Sequence, residues 1–136
     1  EEMEAEEPLP ELAQVSSEEE LGYYSVLLHS PGLHEASGRI SGAAALEVLR
    51  RSERRPPVPD RDLRGILADE GFSAERGGVD VDGLMRLGRR LARAQGAAEG
   101  GAPGVAFLPR LRGLRWDARR KRVNVLEPFD VPGAAP

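Results

Sequence analysis

Cysteine is missing altogether. That excludes disulfides, thiolate-bound zinc and a cysteine nucleophile, and it fits a reducing, cytoplasmic compartment. Histidine is nearly as scarce: His29 and His34 are the two present, and they do not stand at paired-ligand spacing. No glycine-rich loop of the phosphate-cradling kind precedes a helix. No catalytic constellation emerges, so the chain reads as a non-enzyme with no cofactor and no metal. No apolar run approaches the roughly 20 residues of a membrane span, and the opening stretch has no signal-peptide pattern. Net charge is only −4, too mild to point to a partner class. The length of 136 residues suits one domain with tails.

What is present is organised around Gly38–Ser52. Gly38 suits a backbone at positive φ, and Ile40 suits a very short strand. Ser41 is placed to cap a helix whose apolar face is Ala45, Val48 and Leu49. Turn, one-residue strand, cap and helix in that order are the second half of an EF-hand. Upstream, Ser16 and Ser17 are each followed three residues later by Glu19 and Glu20, a capping-box signature. They predict a helix through Leu28 with Leu21, Tyr24, Leu27 and Leu28 on its buried side. A third helix is expected to be capped by Asp60 or Asp62 and closed at Glu70-Gly71. A fourth runs from Asp80 or Asp82 to Gln95, with Leu84, Leu87, Leu91 and Ala94 as its apolar face. Two loops thus precede Ser41 and Asp82, with Ile40 and Val79 placed to pair across them. Counted as calcium loops, with Gly38 and Gly77 at the sixth position, they carry Leu33 and Phe72 first and Ala44 and Gly83 twelfth. Neither offers the oxygen cage that calcium requires.

Gly38-Arg39-Ile40-Ser41-Gly42, the helix after it and Ser52 resemble the first EF-hand of an Eps15-homology (EH) domain. The flanks carry the likeness further: Tyr23 and Tyr24 upstream, Leu63 and Ile66 in the third helix, Val79-Asp80 with Leu84, and Ala94-Gln95-Gly96 with Leu108-Pro109. The resemblance spans Ser16 to Pro109. It implies a mainly α fold of two EF-hand-like helix–loop–helix units with a minimal two-stranded ladder. The division expected is an acidic, disordered lead-in (1–15), the paired domain (16–95), and a linker with an irregular tail (96–136) that partly folds back. It also implies a protein-interaction module of an endocytic or vesicle-trafficking scaffold, taking Asn-Pro-Phe-like peptides between the second and third helices. Leu49 and Leu63 match the pocket leucines, with Ile66 and Leu67 beside them. Burying a peptide Phe there is worth roughly 2–3 kcal/mol. Leu67 replaces the pocket tryptophan, removing a flat wall and an N–H donor. The alternative is a degenerate docking or structural domain with no free peptide pocket and no calcium.

Two further sets of residues stand out. Arg86, Arg89, Arg90 and Arg93 form a basic face on the fourth helix, a candidate contact for an acidic partner or phosphoinositide. In the tail, Leu114–Leu126 reads as two short strands about a polar turn, with Trp116 as an anchor. Its Arg-Lys cluster is a single one in an acidic chain and does not indicate nucleic acid. Glu127-Pro128-Phe129 differs from Asn-Pro-Phe only at its first residue. It is a candidate to dock in cis near Leu49 and Leu63, or to bind a clathrin adaptor in trans.

Overall fold

A computed structural model describes residues 12–30, 32–53, 58–75, 78–96 and 105–131. Gly77, the rest of the lead-in before residue 12, and most of the glycine-rich spacer lie outside the described residues. Among the described residues the chain forms four helices: α1 (Ser17–Leu28), α2 (Gly42–Arg50), α3 (Asp60–Asp69) and α4 (Val81–Ala94). Four strands accompany them: β1 (Ala13–Ser16), β2 (Val105–Leu108), β3 (Leu114–Asp117) and β4 (Arg122–Val125). The architecture is therefore mixed α/β, not mainly α.

Local chemistry starts the helices. Ser16 and Glu19 close a reciprocal capping box, with Ser16 N donating to Glu19 Oε1 at 2.9 Å and Glu19 N to Ser16 Oγ at 3.2 Å. Ser41 Oγ accepts from Ala44 N at 3.1 Å, and Asp80 Oδ1 from Gly83 N at 2.8 Å. Helix α3 departs from expectation. Its N-cap is Pro59, which has no side-chain oxygen, and both Asp60 and Asp62 lie inside the first turn. There their charges answer the positive end of the helix dipole instead of capping a single N–H.

The strands come from the ends of the chain. Strand β1 pairs antiparallel with β2, Ala13 opposite Leu108 and Ser16 opposite Val105. The expected lead-in therefore ends earlier, because Ala13–Ser16 gains a ladder partner from far along the chain. Strand β3 pairs antiparallel with β4 around a tight turn, the two short strands expected within Leu114–Leu126, so the tail is more regular than the irregular one the fold class expected. Ile40 and Val79 form an isolated antiparallel bridge, each N–H donating to the other's carbonyl at 2.9 Å.

Helix α1 packs on α4 and on β4, while α2 packs on α3. One cluster collects Tyr23, Tyr24, Leu27 and Leu28 with Leu49, Leu63, Leu67, Leu84, Leu87 and Leu91, and the tail adds Leu108, Leu111, Val123, Phe129 and Val131. Leu21 and Ala94 do not join it. Leu21 is 48% exposed at the edge of the buried side of α1, and Ala94 is exposed in the last turn of α4.

Candidate functional site

The leucines expected to line a peptide groove are closed in the core. Leu49, Leu63 and Leu67 are 1%, 3% and 0% exposed, and only Ile66 is partly open. Over them, Arg50 joins α2 to α3 through Asp60, with Nε 2.7 Å from Oδ1. Arg64 Nε holds the other oxygen of Asp60 at 2.9 Å. These two guanidiniums hold the Asp60 carboxyl at about 2, below its ordinary 3.8. An open groove of about 420 Å³ lies elsewhere, where α1 meets β4, lined by Ser25, Val26, His29, Ser30 and Val125. None of the expected site residues is among them.

The basic face of α4 is matched internally. Arg89 grips Glu20 through both carboxylate oxygens, at 2.8 and 2.7 Å. Glu20 is buried on α1, so this pair joins the two helices, with the Arg89 side chain itself half exposed. Arg90 and Arg86 reach Glu70 at 2.5 and 2.9 Å, and Arg86 also pairs with Asp82 one turn back. Arg90 first, then Arg86, hold the Glu70 carboxyl below its usual range. Arg93 is engaged as well. An acidic partner or lipid would have to displace these carboxylates, so the face is a fastening of α4 to α1 and to the end of α3.

The tail tripeptide lies against Arg51, not at the expected place near Leu49 and Leu63. Arg51, the C-cap of α2, is 7% exposed. Its Nη1 donates to the carbonyls of Glu127 at 2.5 Å and Arg112 at 3.3 Å, and its Nη2 to Pro128 O at 2.5 Å. The guanidinium lies 4.0 Å from the centroid of the Phe129 ring, in cation–π position. Phe129 itself is 4% exposed. Gly32, at φ +90°, lets the Phe129 carbonyl approach so closely that a Cβ would overlap it. Burial lowers the Arg51 pKa while the field of Glu127 opposes the shift, and a guanidinium stays protonated regardless.

The neighbouring chain is fixed by the same corner. Arg112 N donates to Arg51 O at 2.8 Å, and Glu53 N to Arg110 O at 3.1 Å, flanking a bridge between Ser52 and Leu111. From the end of α4, Gln95 Nε2 donates to Ser52 Oγ and Arg110 O, both at 2.9 Å, and Gln95 Oε1 accepts from Arg110 N at 2.7 Å. The arrangement contacts the main-chain carbonyls of Glu127 and Pro128 and the aromatic ring of Phe129. Among the described residues no cluster of His, Asp and Glu could hold a metal ion.

Sequence reasoning missed Arg51, Gln95, Gly32 and the buried Glu20. Arg51 adjoins Arg50 in Leu-Arg-Arg-Ser, and no local pattern tells the inward arginine from the outward one. Glu20 carried one signal: it lies one residue before the apolar stripe of α1, four residues ahead of Tyr24 on the same face. Comparisons with family models, with curated proteins and with solved structures returned no match.

Proposed function

We propose that this chain is an EH-like protein-interaction module, a docking part of a trafficking scaffold, whose Pro-Phe site is filled by its own tail. The bridge between Ile40 and Val79 supports an EF-hand-like pairing of the two helix–loop–helix units. Its trafficking context rests on the resemblance of Gly38–Ser52 and its flanks. The observation that carries the reading is the seat of Phe129 beneath Arg51, with the two preceding carbonyls held by the same guanidinium. The partners are then Pro-Phe peptides that compete with the tail, or proteins that dock on the closed domain. Calcium has no part, since neither loop has a carboxylate at its first or twelfth position. The reading with an open groove at Leu49, Leu63, Ile66 and Leu67 has less support, because three of the four are sealed.

A tethered tail acts at millimolar effective concentration, enough to keep a weak site filled. An Asn-Pro-Phe peptide titrated into the intact chain is therefore expected to leave its amide resonances unmoved. Into a Phe129→Ala chain the same peptide binds at least about tenfold more tightly, shifting Arg51 and Gly32. Shifts at Leu63 and Ile66 in the intact chain would favour the open groove instead. A Phe129→Ala chain that ignores the peptide would leave the tail as a purely structural clasp.

A further inference from the structure

We propose that the outward face of the β3–β4 hairpin is a docking surface for an anionic lipid bilayer. The ladder sets its two faces. Leu114 opposes Val125 and Trp116 opposes Val123 on one side, while Arg115 opposes Asn124 and Asp117 opposes Arg122 on the other. The first side is turned to the domain: Val123 is buried, and the Trp116 ring meets Tyr23 edge-on at 6.3 Å. The second is left to solvent, with Arg115 and Arg122 exposed.

The turn is built rather than loose. Asp117 Oδ1 accepts from the amides of Arg119 at 3.1 Å and Arg120 at 3.2 Å, and Lys121 closes the turn at φ 55°. A carboxylate at the turn start that bonds the next amides fixes its shape. It therefore presents its cations in a set arrangement. Between 115 and 122 there are five cations against one carboxylate, in a chain of net charge −4. Arg115 and Arg119 form no ion pair among the described residues, and Arg122 has only Asp117 across the ladder. Arg120 and Lys121 do reach Asp117 and Glu19, yet their side chains remain 69% and 61% exposed. The contrast with α4 is direct: there Arg86, Arg89 and Arg90 are each matched to a carboxylate.

An apolar residue joins the charges. Leu126 follows Arg122 and Asn124 in the strand alternation, extends the pairing through its N–H to Gly113 O at 2.6 Å, and is 62% exposed. Cations with one exposed leucine on a ribbon suit the headgroup boundary of a bilayer. Nucleic acid fits less well, since the only aromatic of the hairpin points inward and no base can stack on the outer face. An acidic peptide would be held in a cleft, and a two-stranded ribbon offers none. The acidic remainder of the chain would orient the hairpin toward an anionic plane by long-range field.

The test is co-sedimentation of the full chain with phosphatidylcholine vesicles, with and without phosphatidylserine. Binding is expected only with phosphatidylserine, weakening as salt is raised. Each basic residue near such a surface contributes a factor of about five, so R119E/R122E is expected to lower partitioning at least tenfold. The milder R115Q/R119Q serves if the reversal disturbs folding, with a smaller loss in the same direction. Arg61, exposed on α3 beside Asp62, is the control, and R61E leaves binding unchanged. Failure of the unaltered chain to sediment with phosphatidylserine overturns the proposal. So does an equal loss from R61E, or capture of polyglutamate by a chain that ignores the vesicles.

Discussion

Tyr24 shows how tightly single residues are set in this chain. It is 1% exposed, and its hydroxyl has no hydrogen-bond partner among the described residues. Burial, with the fields of Tyr23 and Glu20 added, pushes its pKa far up. The ring lies against Gly88 of α4, where a Cβ would overlap it. Two opposite outcomes are expected in urea melts. Tyr24→Phe discards an unpaired buried polar group and is neutral or stabilising by up to about 1 kcal/mol. Gly88→Ala adds a methyl where none fits and costs about 1–3 kcal/mol, despite the ~1 kcal/mol that alanine gains over glycine in a helix. A more stable Gly88→Ala chain would mean that α1 and α4 can part without penalty. The same two helices are joined by Arg89 and Glu20, so Arg89 is a structural cation, not a spare one for a ligand.

At the scale of elements, α2 and α3 are joined outside the core by the carboxylate of Asp60 between Arg50 and Arg64. Its pKa falls from 3.8 to about 2 on folding. A depressed carboxylate favours the folded state above its unfolded pKa. That contribution is therefore whole above 3.8, shrinks as pH drops from there to about 2, and is gone below. Glu70, lowered by Arg90 and Arg86, acts in the same direction at the α3–α4 corner. Acid is thus expected to loosen α3 from both neighbours before the apolar core opens. The check is an NMR titration of the Asp60 side chain: Arg50→Gln should move its midpoint up toward 3.8. An unmoved midpoint would show that Arg50 does not hold it.

For the whole molecule, the segment from Val105 to Val131 is part of the domain. It supplies the partner of β1, the inner face of the β3–β4 hairpin and the ring under Arg51. It also contributes Leu108, Leu111, Val123, Phe129 and Val131 to the core. A chain ended after Gly96 loses all of these, including the Trp116 ring against Tyr23. Several kilocalories of apolar burial go with them, so its melting temperature is expected to fall by more than about 10 °C. An unchanged melting temperature by circular dichroism would separate the tail from the fold, and the cis occupancy of Arg51 with it.

The sequence by itself determined what rests on neighbours in the chain. Ser16 with Glu19, Ser41 and Asp80 declare helix starts because a cap and its amides are three residues apart. The strands about Asp117–Lys121 are legible because the turn and its flanks are local, and Trp116 was legible as their anchor. Tertiary structure decided everything that depends on residues brought together from afar. Leu49, Leu63 and Leu67 have the same apolar character whether they line a groove or fill a core, and only the packing of α2, α3 and α4 on one another encloses them. The four arginines of α4 look like a free basic face until folding sets Glu20 and Glu70 against three of them. Of those in the hairpin, Arg115 and Arg119 form no ion pair among the described residues, and Arg120 and Arg122 share the single carboxylate of Asp117. Arg51 is indistinguishable from Arg50 along the chain. It becomes a clamp because one faces solvent and Asp60, while the other is turned inward against a segment about eighty residues away that a local pattern cannot reach.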